Sequence, residues 1–289
     1  MLFIGSSITQ GILWAIMALG VYVTFRLLDI ADLSCEGVFP LGAAVCARLI
    51  ANGVDPWIAT FVALVSGMAA GWIAGFLNTV MKIPPLLTGI LVLTGMYSIN
   101  LHIMSQPNIA LLGKKTLMSL PLLSSLSTSM KTAVVGSIVF VLVVLLMSWF
   151  LHTEVGLGFR AIGDNVIMGK ANGINSNRMV VLGYILGNGL IALAGALIAQ
   201  KDGFADINMG IGTIVIGLSA VMISEVVVPN LTIGKRLASI VIGSIIYRVI
   251  IDTILNQPFI AIAPTDLRLY SAILLALVLW FPKWREQRK

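Results

Sequence analysis

Nine stretches of this chain are each apolar over about the 20 residues that a helix needs to cross a bilayer, and that pattern limits the fold before any motif is considered. They cover residues 6–28, 35–52, 54–80, 85–104, 130–150, 179–200, 210–228, 232–254 and 266–282. Composition agrees: 58% of the 289 residues are hydrophobic, 10% are charged and mean hydropathy is +1.03, whereas a soluble domain carries roughly 25% charged residues. The expected fold class is an all-α polytopic transmembrane bundle, one domain over 1–289. The stretch 35–52 is short, contains Gly37, Pro40 and Gly42, and follows the polar run Asp29, Asp32, Ser34, Glu36. It reads as a discontinuous helix lying against protein instead of lipid.

The net charge of +6 is distributed over short loops and the tail. That is a membrane topology signal and points to no nucleic-acid partner. With the 151–178 loop and the C-terminal tail in the cytoplasm, Arg26, Lys82, Arg160, Lys170, Arg178, Lys235, Arg236, Lys283, Arg285, Arg288 and Lys289 all fall inside, 11 of 18 basic residues. The N-terminus is then outside. The chain starts within an apolar helix and lacks a basic leader and a small-residue cleavage site, so insertion by the first helix is expected. Trp57, Trp149, Trp280 and Trp284 fall at helix ends, where indole rings favour the headgroup level; Trp14 and Trp72 read as ordinary packing.

Glycines recur at helical spacing: Gly67, Gly71 and Gly75 in one span, Gly183 and Gly187 in another, followed by Ala192 and Ala196. In lipid such faces permit close helix contact, which must come from packing. The polar inventory is thin. His102 and His152 lack a partner carboxylate at useful spacing, Cys35 and Cys46 are too few for a disulfide framework and read as buried, and no GxxxxGK[ST] phosphate loop occurs. No metal set, ATPase or membrane-enzyme constellation is visible. Asn78, Asn100, Asn188 and Glu225 occur singly within spans, and Glu225 reads as a boundary residue near Pro229.

Two stretches carry more information. In Leu27–Pro40, Asp32 or Ser34 caps the helix that follows, and Gly37 and Pro40 let it bend or start late. The same stretch also reads as a plain cytoplasmic turn. The 28-residue segment from Leu151 to Arg178 lies between two spans. Gly156 and Gly158 are expected to break the preceding helix, Asp164 or Asn165 to cap a short helix over about 165–171, and Asn172-Gly173 to end it in a left-handed cap. Val166, Ile167 and Met168 give that helix an apolar side, flanked by Arg160 and Lys170. It suits docking of another protein, or rest on the bilayer.

At this loop, through Gly158-Phe-Arg160-Ala161-Ile-Gly-Asp164-Asn165, Met168-Gly-Lys-Ala171-Asn-Gly173-Ile174-Asn175 and Gly187 to Leu197, the chain resembles permease subunits of bacterial ABC importers of the branched-chain amino acid and ribose group. Ile30-Ala-Asp32-Leu33-Ser34 through Leu41-Gly42-Ala43 resembles that family's discontinuous second helix, and the "Asp-Leu-Ser-Cys-Glu-Gly" wording is most similar to tryptophan/tyrosine-type permeases. Gly169-Lys170 departs from the small apolar pair of many relatives. The resemblance implies a homodimer with two cytoplasmic ATPase subunits and an extracytoplasmic solute-binding lipoprotein. It implies no cofactor in this chain, ATP and magnesium being bound by the partner ATPase. It further implies coupling through Arg160, Ala161, Asp164, Asn165, Met168, Ala171 and Gly173, and a pathway near Asp32, Ser34, Glu36 and Asn78. The expected cargo is an amino acid, aromatic by this likeness; nucleosides, sugars and branched-chain amino acids are the alternatives. An ion-coupled secondary transporter would need a deep acidic pair or an inverted repeat, and neither is apparent.

Overall fold

The computed structural model describes residues 2–119, 127–255 and 267–286. Nine long helices follow the nine apolar runs closely: α1 (Leu2–Val21), α2 (Cys35–Ala51), α3 (Pro56–Thr79), α4 (Pro85–Met104), α5 (Thr128–His152), then α8 (Ser176–Asp202), α9 (Thr213–Val227), α10 (Ile233–Leu255) and α11 (Leu267–Glu286). Two short helices, α6 (Glu154–Asp164) and α7 (Val166–Ala171), occupy the loop between α5 and α8. Six of the helices meet length and hydropathy requirements for a span outright, and α9 is a shorter apolar helix. A three-residue antiparallel ribbon, β1 (Asn108–Ala110) with β2 (Phe204–Asp206), is the one strand pair among the described residues and an addition to the all-helical expectation.

Helices α1, α2 and α8 form the buried centre, and α3, α4 and α5 lie outside them with exposed aliphatic faces. The glycine stripes do what their spacing predicts. A methyl at Gly67 would strike Ala192, at Gly71 the Tyr184 carbonyl and at Gly75 Val181, so α3 runs antiparallel along α8 with backbones nearly touching. Gly20 and Gly187 bring α1 against α8 in the same manner. Trp14 stacks on Phe39, ring centroids 5.3 Å apart, as core packing requires. Trp72 corrects the expectation: it is 55% exposed, paired only loosely with Phe76, and faces out of the bundle. Trp57, Trp149 and Trp280 are exposed as expected, and the Trp284 side chain, with Arg288 and Lys289, lies outside the described residues.

Contacts between helices order them along the bundle axis. α1 descends from the ribbon end to the α6 end, α8 ascends, α10 ascends beside α1 through Gly11 and Ile245, and α11 descends with Ser271 against Tyr247 near its start. The start of α1 and the 151–178 loop therefore lie at opposite ends, and the end of α11 shares the loop's end.

Two helices do not traverse the full height. Asp32 and Ser34, just before α2, bond to Asn188, which lies about 18 Å from one end of α8 and about 21 Å from the other at 1.5 Å per residue. α2 thus starts at mid-height and rises. α9 also starts at mid-height, at Gly212 beside Glu36, and descends alongside α1. The apolar run 210–228 is only helical from Thr213, because Gly212 adopts φ +82 and ends any continuous path.

Candidate functional site

α1 does not end as an ordinary helix. Its last turn, Tyr22–Leu27, is a π-helix, after which Asp29 takes φ +56 and the chain doubles back to reach α2. The Ile30 amide closes this bend on the Thr24 carbonyl at 2.9 Å. Insertions of this type cluster where function needs a departure from regular geometry. Here the departure leaves residues 28–34 non-helical within the bundle, a state tolerated only where protein or a cavity surrounds the backbone.

Asp32 is the centre of this segment. It is 5% exposed, and its carboxylate accepts from the Ser34 amide at 2.9 Å, from the Ser34 hydroxyl, and from the Asn188 side-chain amide at 2.9 Å. Ser34 is also 3.1 Å from the Asn188 carbonyl oxygen. The result is a closed clasp of three side chains joining the broken segment to the middle of α8. A buried carboxylate is tolerated when hydrogen bonds replace its water, and three donors do so here. Asp32, not Ser34, binds the amide at the helix entrance; the Ser34 side chain makes no cap bond. One helical turn toward α6, the fully buried Tyr184 hydroxyl has no partner among the described residues.

Glu36 faces the second half-helix. Its carboxylate accepts from the Gly212 amide at 3.0 Å, and the backbone at Gly210 packs against the Glu36 carbonyl, which Pro40, lacking an N–H, leaves outside the helical ladder. Pro40 therefore lies within α2 without displacing its start. Asp32, Ser34 and Glu36 are brought together at mid-height as the sequence suggested. Asn78 is not among them: its amide donates to the Ile83 carbonyl at 2.8 Å and ties the α3–α4 turn at the α6 end. The missing member of the group is Asn188. Nothing local could have marked it, because its partner is 156 residues away.

The loop between α5 and α8 is more ordered than glycine content implied. Gly156 and Gly158 do not break a helix; both lie inside α6, and the break is at Thr153, whose hydroxyl accepts from the Gly156 amide. Gly156 is needed because a side chain there would collide with the Phe150 carbonyl. Asn165, not Asp164, caps α7 by accepting from the Met168 amide at 2.9 Å. Gly173 ends it with φ +79, as expected. Ala161, Asp164, Asn165 and Met168 line a cleft of about 380 Å³ between α6 and α7. Ala171 and Gly173 are exposed beside it, and Arg160 is half-buried.

α6 is joined directly to the broken segment. A methyl at Gly163 would overlap the Leu27 carbonyl, and Gly183 on α8 receives Leu28 and Phe159. Phe159 is fully buried and meets Phe150 edge-on at 6.1 Å between centroids. On the same end, Arg26 and Glu225 form an ion pair at 2.8 Å between the ends of α1 and α9, which agrees with the boundary position of Glu225. His102 and His152 bond only to backbone oxygens one turn back. A second buried tie holds the ribbon end: Gln200 donates to Thr60 at 2.8 Å and lies 3.3 Å from the Cys46 sulfur, while accepting from the Leu117 amide. Both cysteines are buried and unlinked.

The discontinuity expected within 35–52 is corrected: α2 is continuous from Cys35 to Ala51, because Pro40 costs it one ladder bond without interrupting it, and the non-helical segment lies before it, at residues 28–34. The model of the family described as branched-chain amino acid transport system, permease component, matches residues 3–281. The chain belongs to this permease family. A tyrosine transport system permease protein of Clostridioides difficile is 39% identical over 271 residues, 93% of this chain and 88% of that protein. An uncharacterized protein of Rickettsia prowazekii, RP368, is 34% identical over 95% of both chains. The galactofuranose transporter permease protein YtfT of Escherichia coli is 27% identical over 67% of this chain and 55% of that protein. No solved structure matches. This permease is accordingly a multi-pass membrane protein, as its apolar runs required.

Proposed function

We propose that the permease carries an amino acid, an aromatic one, through the membrane as a homodimer driven by two cytoplasmic ATPase subunits. An extracytoplasmic lipoprotein delivers the solute, the N-terminus is outside, and the α6–α7 end is cytoplasmic. ATP and magnesium are held by the ATPases and no cofactor by this chain. The observation that carries the reading is the contact of Gly163 with the Leu27 carbonyl. Through it, movement of the α6–α7 cleft reaches the end of α1, from which five residues lead to the Asp32–Ser34–Asn188 clasp.

In this mechanism Arg160, Ala161, Asp164, Asn165, Met168, Ala171 and Gly173 form the socket for the ATPase. Asp32, Ser34 and Glu36 shape the path, and closure of the ATPases switches access by moving rigid elements past one another. The aromatic cargo rests on similarity to the tyrosine permease; the galactofuranose relative favours a sugar as the second reading. The test is co-purification with the nucleotide-binding subunit, followed by uptake of labelled tyrosine by the complete system. Ala161→Trp and Ala171→Glu are expected to abolish uptake and solute-stimulated ATP hydrolysis while membrane insertion is retained. Unchanged activity in both variants overturns the socket assignment.

A further inference from the structure

A second polar cluster lies far from the clasp, at the ribbon end of the bundle. α1, α8 and α10 enclose a cavity of about 270 Å³ whose wall carries Gln10, Trp14, Lys201, Asp202 and Arg248. Its composition differs from that of two larger-mouthed grooves on the outer faces, which are lined by aliphatic and aromatic residues. Charged side chains are costly in or near hydrocarbon and tend to mark solute paths. Lys201, Asp202 and Arg248 border this cavity, with Asp252 behind Arg248.

The internal charge balance identifies the ligand chemistry. Lys201 pairs with Asp202 at 2.8 Å and Arg248 with Asp252 at 3.2 Å, so these four side chains carry equal numbers of each sign. The side chains of Arg248 and Asp252 are 19% and 12% exposed, too enclosed for cations merely reaching for a membrane surface. A lone anion such as phosphate would add unbalanced negative charge to these four side chains. A zwitterion adds both signs, its carboxylate sharing Arg248 with Asp252 and its ammonium sharing Asp202 with Lys201. Arg248 uses its Nε–H toward Asp252 and borders the cavity, and its terminal N–H groups could receive a carboxylate in the two-pronged geometry guanidinium favours. Trp14 is half-buried with one face stacked on Phe39, and its remaining surface borders the cavity. That surface suits an ammonium group or an aromatic ring.

We propose that this cavity is an outer way station for an α-amino acid, with Arg248 receiving the carboxylate, Asp202 the ammonium and Trp14 the side chain. It lies about 20 Å from the clasp along α8 by helical rise, so it is a stage separate from the mid-height group. The proposal rests on the amino acid reading of the cargo, and the experiment separates the two. Labelled L-tyrosine is bound at equilibrium to the permease–ATPase complex in phosphatidylcholine nanodiscs, in competition with tyramine, which lacks the carboxylate, and 3-(4-hydroxyphenyl)propionate, which lacks the amine.

Arg248→Gln is expected to weaken L-tyrosine binding about tenfold while tyramine competes as it does in the wild type. Asp202→Asn is expected to weaken L-tyrosine similarly while the propionate is unaffected. Arg248→Lys, which keeps the charge and guards against misfolding, is expected to fall between, with the same ranking of ligands. Equal shifts for all three compounds, absence of any shift, or binding that follows a change of lipid to phosphatidylethanolamine overturns the way station. If the wild-type complex binds no tyrosine while the complete system transports it, the way station alone fails. If the complete system transports no α-amino acid, the cargo reading fails and takes the way station with it.

Discussion

Asn188 shows what a single residue contributes to this permease. It supplies one of three donors to a carboxylate that has left water, and hydrogen bonds to charged groups are worth about 1.5–3 kcal/mol. Asn188→Leu is expected to lower stability by about that amount, seen as an earlier midpoint in thermal unfolding of the detergent-purified protein, and to impair uptake. Arg26→Gln is expected to change stability by less than about 1 kcal/mol, since Arg26 is 58% exposed and its ion pair with Glu225 is at the surface. Gly163→Ala differs from both: its methyl meets backbone that cannot swing aside. Loss of about 1–3 kcal/mol from overpacking and loss of uptake are expected together. The acidic member of the clasp, Asp32, was legible because a carboxylate in an apolar run is conspicuous. Asn188 was not, because one asparagine in a long helix looks like any other until its distant partner is placed. Asn78 misled for the same reason: isolated polarity does not say whether the partner is a solute or the next turn.

At the scale of elements, the long spans were readable to within a few residues because hydrophobic runs and helix boundaries share a cause, the need to satisfy backbone inside lipid. The half-height start of α9 was not, since Gly210-Ile-Gly212 is apolar by composition and only its conformation interrupts the helix. Gly212→Ala forces a side chain into φ +82 and is expected to cost about 1–2 kcal/mol, whereas Gly95→Ala, with open space around it, should leave the melting midpoint unchanged or slightly raised. α6 was misread because two glycines were taken as breakers, although glycine also serves where helices must nearly touch. The α3–α8 pair obeys the same principle and was foreseen there, because its glycines repeat at regular spacing. The three-residue ribbon strands are too short to leave a pattern of alternation.

The whole molecule has two ends with different chemistry, a ribbon end with a charged cavity and an α6–α7 end with a cleft and exposed apolar residues. Leu112 is 90% exposed at the first and Ile167 is 82% exposed at the second. Single substitutions Leu112→Cys and Ile167→Cys are expected to react with an impermeant maleimide from opposite sides, the former in intact cells and the latter only after permeabilisation. Reaction of both from one side would contradict the arrangement of helices. Cys35 and Cys46, the chain's only thiols, are 1% and 0% exposed within the core. The native polypeptide therefore supplies its own silent background for site-directed labelling, and probes can be introduced one at a time without first stripping sulfur from the helices that build its centre.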